Sequence, residues 1–502
     1  MNRRTFLSSL AATTAVPGAA ISSVAPVSSD AEKTHISVRK SLAGNHKPKN
    51  VVLMICDDLG YGDLGCYGGS LPTPHLDSLA KNGMRLTHFN AGHAICSASR
   101  AALLTGRYAP RSHTPGALFP DAEQGMSLDE VTLADLFHKK GYKTHAVGKW
   151  HLGDREPYLP THRGFDGFYG VPYSDDMQPL PLIRDTTTLQ ADADRDELTP
   201  LYTADALKFL KGTGERPFFL YLAFSYPHDP ARASKAFAGK TAFGDYGDSV
   251  AEIDWSVGQV IEELRRQEKL DDTLILFTSD HGPWFQGTPG NLRGRKGSTF
   301  EGGFRVPLIV HWPKEIPAGT DSSIWASNLD IVPTLTSLCG LEPSKNPVDG
   351  IDISDLLKSG VLSAERRPIL YFSPRFMYEI HCIRKGNWKL RVAQTSGQIY
   401  INDGGAGHAG YWLQHPELYN LEHDPAESYD IAGKYPEIVR ELTTNLDEQI
   451  GTFPSEVSKA MAALKANPAR ITTPPGAAAR MDDHKPLPAW AWEPPWRRDS
   501  AR

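Results

Sequence analysis

The run Val51-Val52-Leu53-Met54-Ile55-Cys56 is apolar, rich in β-branched residues, and stops abruptly at Asp57-Asp58. An unbroken apolar run of this length fits a strand buried in the middle of a sheet. Phe218–Phe224, Leu274–Thr278 and Val306–Val310 have the same texture. Between these runs lie amphipathic helical patterns. Asp129–Lys140 places Val131, Leu133, Leu136 and Phe137 on one face, and Val250–Leu264 does so with Ile253, Val257, Val260, Ile261 and Leu264. Strands alternating with helices predict an α/β fold: a mostly parallel sheet sandwiched by helices.

The texture changes after residue 365. Tyr371-Phe372, Trp388-Lys389-Leu390 and Leu418-Tyr419-Asn420-Leu421 read as short strands, followed by a helical pattern over Pro436–Ile450. We therefore expect a main domain over 49–365 and a smaller C-terminal α+β subdomain over 366–465. A Pro-, Ala- and Arg-rich extended tail is expected over 466–502. At the other end, Arg3-Arg4 precedes an apolar, Ala-rich stretch from Phe6 to Ala20. That pattern reads as a twin-arginine export signal over 1–25, joined by a linker over 26–48. The expected location is periplasmic or secreted. The apolar stretch is too short and too interrupted for a spanning helix, so no membrane span is expected in the mature protein.

The net charge of the 502-residue chain is -6, and no dense basic run is present, which argues against nucleic acid as a partner. The five cysteines, Cys56, Cys66, Cys96, Cys339 and Cys382, are too sparse and too odd in number for a disulfide framework, although one pair is open. The count also raises the question of whether one of them is chemically special.

Asp57-Asp58 follows a buried strand directly, and the carboxyl ends of strands are where open α/β sheets bind ligands. Adjacent carboxylates repel unless a cation lies between them. The run Ser279-Asp280-His281-Gly282 ends a second strand in the same way. Two strands delivering acids to one edge point to a hard divalent cation; helix caps or turn residues are the alternative. In Ala94-Ile95-Cys96-Ser97-Ala98-Ser99-Arg100-Ala101-Ala102-Leu103-Leu104-Thr105-Gly106, a helix-forming string starts after Cys96 and stops at a Gly. Cys96 would stand at the anion-attracting helix start, with Arg100 one turn away on its face; a structural buried cysteine is the alternative.

Gly141-Tyr142-Lys143-Thr144-His145-Ala146-Val147-Gly148-Lys149-Trp150-His151 is strand-like up to Gly148. Lys149 and His151 would then point to one side if the chain stays extended. They offer a cation for an anionic substrate and acid–base chemistry near neutral pH. His228 falls just past the Phe218–Phe224 strand, and Lys296 lies in the Gly-rich loop Arg295–Gly303. Five strand-end segments thus each supply a residue suited to a site for a metal and an anionic group.

At this point the residues resemble the sulfatase family. The Cys96 string is similar to its first signature and the Gly141–His151 string to its second. The third position of the cysteine motif, usually Pro, is Ala98 here. Pro172-Tyr173-Ser174, together with Leu418–Leu421 and Asp424-Pro425-Ala426-Glu427, resembles the branch of arylsulfatase A and N-acetylgalactosamine-6-sulfatase. The resemblance implies an alkaline phosphatase-like fold and hydrolysis of sulfate esters. It also implies conversion of Cys96 to formylglycine (3-oxoalanine) by a formylglycine-generating enzyme, and hydration of that aldehyde to a gem-diol. Asp57, Asp58, Asp280 and His281, with the modified Cys96, would hold one calcium ion. Arg100 would hold the diol, and Lys149 and Lys296 would bind sulfate oxygens. His151 would assist breakdown of the intermediate, and His228 would protonate the leaving alcohol. Ser174 is a further substrate contact. The implied substrates are sulfated galactose or N-acetylgalactosamine units of polysaccharides, and aryl sulfates. The alternatives are a phosphodiesterase or phosphonate hydrolase of the same superfamily, and a sulfated-glycan binder that does not turn over if Cys96 stays a thiol.

Overall fold

The computed structural model describes residues 46–114, 116–120, 122–395 and 410–466. The expected export signal, most of the expected linker and the expected tail beyond Ala466 lie outside the described residues. In chain order the strands are β1 (Asn50–Cys56), β2 (Met84–Leu86), β3 (Phe89–Asn90), β4 (Lys143–Lys149), β5 (Gly167–Val171), β6 (Leu182–Arg184), β7 (Thr187–Gln190), β8 (Phe218–Ala223), β9 (Thr273–Ser279), β10 (Leu308–His311), β11 (Thr320–Ser322), β12 (Ala326–Ser327), β13 (Ile369–Phe372), β14 (Ile380–Lys385), β15 (Trp388–Thr395) and β16 (Gly410–Asn420).

Ten of them form one sheet in the order β11-β2-β10-β9-β1-β8-β4-β5-β6-β7. The five in the middle, β9-β1-β8-β4-β5, are mutually parallel. Their carboxyl ends therefore share one edge. An antiparallel strand flanks them on each side, β10 next to β9 and β6 next to β5, and β7 pairs antiparallel with β6. The fold is the expected α/β sandwich around a mostly parallel sheet.

The alternation of β1 explains why the whole run had to be apolar. Val51, Leu53 and Ile55 face a core layer that includes Phe219, Tyr221, Leu274 and Leu276. Val52, Met54 and Cys56 face the opposite layer with Leu220, Leu222, Ile275 and Phe277. Helices Cys96–Thr105, Leu133–Lys139 and Ile331–Cys339 cover the first face. Helices Pro74–Lys81, Leu198–Lys211 and Gly244–Arg266 cover the second. Each fully buried Val, Leu or Ile contributes about 1.5–3 kcal/mol relative to exposure, so neither face tolerates a charge.

Element bounds moved where local chemistry outweighed periodicity. The helix expected from Asp129 begins at Leu133, because Thr132 and Asp135 form a capping box. The helix expected over Val250–Leu264 runs from Gly244 to Arg266 and closes on Arg265 and Arg266, whose charge suits a helix C-terminus. The C-terminal strands are longer than the sequence reading, β16 especially, and β14 was missed. So was a last helix, Ser455–Ala466.

The C-terminal sheet β13-β14-β15-β16 is antiparallel. Together with helices Pro436–Ile450 and Ser455–Ala466 it encloses a separate core around Phe372, Ile383, Leu390, Leu446 and Val457. A buried ionic hub ties it to the main domain. Glu301 receives Tyr371 Oη at 2.7 Å and lies 2.7 Å from Arg305, 3.1 Å from Lys389 and 3.4 Å from Arg384. Glu427 shares Lys389 at 2.9 Å and accepts the Glu301 backbone N–H at 2.6 Å.

All five cysteines are free. Among the described residues, no helix is long and apolar enough to cross a membrane.

Candidate active site

Four of the five parallel strands end in, or run straight into, the residues singled out above. β1 delivers Asp57 and Asp58, β9 delivers Asp280 and His281, β4 ends on Lys149, and the turn after β8 carries His228. The loop after β5 brings Ser174. The helix Cys96–Thr105 enters from the side, and the loop before Glu301 supplies Lys296. All of these side chains are buried; His228 and Lys296 are the most accessible, each 8% exposed. The carboxyl edge of the sheet thus gathers these residues into one buried cluster.

The pocket is densely charged. Arg100, wholly buried, lies 3.1 Å from Asp280 and 3.5 Å from Asp57, and donates to the Lys149 carbonyl at 3.3 Å. Lys149 Nζ pairs with Asp57 and donates to Ser174 Oγ at 2.9 Å. Lys296 Nζ bonds both Asp58 oxygens, at 2.8 and 3.0 Å. Asp58 adopts a φ of 65°, and its N–H donates to Asp280 Oδ1 at 3.2 Å. Such a φ is rare outside glycine, and Asp is among the residues that tolerate it. His281 Nε2 lies 3.2 Å from Cys96 Sγ and 3.5 Å from both Asp58 Oδ1 and Asp280 Oδ1.

Cys96 sits at the first helical position, after an extended Ile95 that lends no side-chain cap. The helix is locked onto β9: Ser99 Oγ donates to the Asp280 carbonyl, and Asn328 Nδ2 donates to Ser99 O at 3.2 Å and Oγ at 3.1 Å. Burial pushes the Cys96 thiol up, but the Lys149 and Lys296 ammoniums outweigh it and bring it down to about 6. Burial also works against ionising Asp57, yet Lys149, His228 and Arg100 hold it well below the usual carboxylate range.

The two remaining histidines differ sharply. His151 does not continue an extended chain; its φ is 60°, so the side it faces is set by a left-handed turn rather than by strand alternation. Its Nε2 lies 2.8 Å from the Leu118 carbonyl and must donate there, which leaves Nδ1 as the basic nitrogen. That Nδ1 is buried with no hydrogen-bond partner. Burial, together with the Lys149 charge, holds the ring well below its ordinary pKa and hence neutral. His228 goes the other way. Burial and Lys296 depress it, but Asp58, Asp57 and a bond to Asp175 lift it to about 10.

The donor set fits a cation. One ligand atom each from Asp57, Cys96, Asp280 and His281 lie within 4.8 Å of one another, and Asp58 joins Cys96 and His228 in an overlapping group. Asp57 Oδ1 is buried and accepts no hydrogen bond. Carboxylate oxygens dominate the set, as hard divalent cations require. His281 Nδ1 faces the Gly282 carbonyl at 3.0 Å and donates there, which turns Nε2 toward the cluster. Burial opposes protonation of His281, but Asp280 and the Cys96 sulfur lift it to about 9; these are the charges that a bound cation would neutralise.

Two contributors were missed in the sequence. Asp175, wholly buried, lies 3.2 Å from His228 Nδ1. Its signal was its place directly after Ser174. Asn328 had no local signal, because it acts through a backbone it meets only in the folded chain.

Comparison with known proteins agrees with this geometry. Residues 49–341 match the Sulfatase family model, and residues 295–452 match the model described as N-sulphoglucosamine sulphohydrolase, C-terminal. Arylsulfatase A of Homo sapiens is 36% identical over 464 residues, covering 82% of this chain and 91% of that protein. N-acetylgalactosamine-6-sulfatase of Sus scrofa is 39% identical over 365 residues, covering 66% of this chain and 70% of the relative. The crystal structure of Ps i-CgsB in complex with k-i-k-neocarrahexaose superposes with a TM-score of 0.70 at 29% identity, covering 80% of this chain and 93% of that one. The chain therefore belongs to the sulfatase family and is a sulfuric ester hydrolase.

Proposed function

We propose that the chain hydrolyses sulfate esters on galactose or N-acetylgalactosamine units of polysaccharides. On this reading Cys96 is converted to formylglycine by a maturation enzyme, and one calcium ion is held by Asp57, Asp58, Asp280 and His281 beside the modified Cys96. The observation that carries it is the buried cluster in which Cys96 meets Asp57, Asp58, Asp280, His281 and His228, with Lys149 and Lys296 paired to its carboxylates. The named activities of arylsulfatase A and N-acetylgalactosamine-6-sulfatase, and the oligosaccharide named with Ps i-CgsB, support the substrate class. The Arg3-Arg4 pattern supports export to the periplasm or beyond.

When bound, the cation would polarise a sulfate oxygen and acidify a neighbouring hydroxyl. A hydrated aldehyde at position 96 would supply one hydroxyl to attack sulfur and a second whose deprotonation expels sulfate. Lys149 and Lys296 place positive charge where sulfate oxygens gather negative charge in the transition state. Ser174 steadies Lys149. Arg100 fixes the Asp57 and Asp280 carboxylates and so keeps the donor set preorganised. His151, neutral with a free Nδ1, can accept the proton of the second hydroxyl. His228, protonated, can deliver one to the departing alcohol.

Two measurements test this reading. The Cys96 peptide from protein made with a formylglycine-generating enzyme should carry an aldehyde in place of the thiol by mass. The same protein should release sulfate from a panel of regiodefined sulfated galactose and N-acetylgalactosamine saccharides and from 4-nitrophenyl sulfate. Faster turnover of aryl phosphate diesters than of every sulfate would favour the phosphodiesterase alternative. An unmodified thiol and no turnover would favour a glycan binder.

A further inference from the structure

Asp175 is wholly buried, and His228 Nδ1 lies 3.2 Å from its Oδ1. Among the described residues, neither carboxylate oxygen nor His228 Nδ1 meets a hydrogen-bond partner of full geometry, which leaves this ion-pair contact as the one that the two side chains share. A buried carboxylate with nothing else to bond is costly unless the one partner it has is worth holding. The surroundings clamp the two residues together. Arg195 Nε donates to the Asp175 carbonyl at 2.8 Å and Arg195 Nη2 to the Met177 carbonyl at 3.2 Å, while Tyr226 Oη, two residues before His228, donates to the Arg195 carbonyl at 2.7 Å. One arginine thus joins the Asp175 loop to the His228 loop. On the far side of the ring, His228 Nε2 faces the pocket, 3.9 Å from Asp58 Oδ2.

We propose that Asp175 is a positioning residue for the leaving-group step: its carboxylate accepts the Nδ1–H of His228 and so aims Nε2–H at the ester oxygen of the substrate. As the hydroxyl oxygen at position 96 bonds to sulfur, the S–O bond to the alcohol breaks, its electron pair stays on the ester oxygen, and that oxygen takes the proton from Nε2. The ring is left neutral with Nδ1–H still bonded to Asp175, and the proton that the attacking hydroxyl releases to solvent returns to Nε2. A carboxylate behind an imidazole fixes the tautomer and the ring plane in this manner in other acid–base sites. The inference rests on the reading of His228 as the proton donor to the leaving alcohol.

Leaving groups provide the test. Departing 4-nitrophenolate is stable without a proton, whereas the alkoxide of an alkyl or sugar sulfate is not. Matured Asp175→Ala should lose about 100-fold in kcat/KM on a sulfated monosaccharide, and at least ten times less on 4-nitrophenyl sulfate. The loss should fall in kcat rather than KM. Asp175→Asn, which keeps an acceptor of the same shape, should recover part of the loss and guards against a folding defect in the alanine variant. Asp175→Ala/His228→Ala should be no slower than His228→Ala alone. Equal losses on both substrates, or additive losses in the double variant, would overturn the role of Asp175. If His228→Ala itself slows both substrates equally, the reading of His228 fails, and the positioning role falls with it. If the parent enzyme turns over neither, the proposed function fails separately.

Discussion

Cys96 Sγ lies 3.2 Å from His281 Nε2, across 185 residues of sequence. The contact joins the first turn of a helix to the end of a central strand. It puts the one cysteine at a helix start among the carboxylates that can hold a cation.

Replacement of Cys96 should separate chemistry from folding. Cys96→Ala suits a helix start and fills most of the same buried space, so thermal stability should stay within about 1 kcal/mol of the parent. Sulfate release should fall on the order of 1000-fold or more. Turnover in Cys96→Ala above a tenth of the parent rate would remove Cys96 from the reaction.

Cation removal should act on stability as well as turnover. With the cation gone, the carboxylates of Asp57, Asp58 and Asp280 are offset by Arg100, Lys149 and Lys296 and by protonation of His228 and His281. A ligand at about a hundred times its dissociation constant stabilises a fold by about 2.7 kcal/mol. A chelator should therefore lower the melting temperature and abolish turnover, and added calcium should restore both. Asp57→Asn should blunt the calcium-dependent gain in melting temperature. A melting temperature indifferent to chelator and calcium would contradict the donor set.

Glu301 should set part of the acid sensitivity of the fold. Burial works against its charge, but Lys389, Arg305 and Arg384 hold it well below the usual carboxylate range. A carboxyl group depressed in the folded state lends stability above its unfolded value of about 4.3 and loses it as pH falls toward the folded value. Glu427, which burial lifts instead, works against this slope. Glu301→Gln leaves three buried cations short of a partner and should cost about 3–5 kcal/mol at neutral pH. Its stability should also fall less steeply than the parent's below about pH 5. Denaturant midpoints across that range provide the check, and parallel pH curves would refute the assignment.

Gly148 should resist any side chain. Its φ is 102°, and a Cβ there would sit inside the van der Waals shell of the Ala223 carbonyl oxygen on β8. Gly148→Ala should cost more than about 1 kcal/mol. It should also slow turnover beyond what that stability loss accounts for, since Lys149 is the next residue. Parent-like melting temperature and kcat together would show that the strand yields at no expense to the site.

Much of the pocket was legible as local pattern. An apolar run cut off by acids announced β1 and β9. A helix-forming string after Cys96, ended by Gly106, announced the side-entering helix, whose last carbonyl turn does close on Gly106 at a φ of 70°. What stayed hidden was whatever depends on a partner distant in sequence. The outer strands β2, β6, β7 and β11 are short and form through pairing rather than through apolar run length. The turn at His151 overrides the alternation that an extended chain would have imposed.

By itself, then, the order of residues determined the α/β class, because buried strands must be apolar throughout, and it determined which side chains stand at strand ends, because apolar runs stop where charge begins. Only the tertiary structure decided the pairings: Lys149 with Asp57, Lys296 with Asp58, Arg100 with Asp280 and His228 with Asp175. The reason is physical. A charge buried at a sheet edge takes its proton affinity and its orientation from whichever partner the packing of other strands brings within a few ångströms, and nothing in its own neighbourhood along the chain specifies that partner.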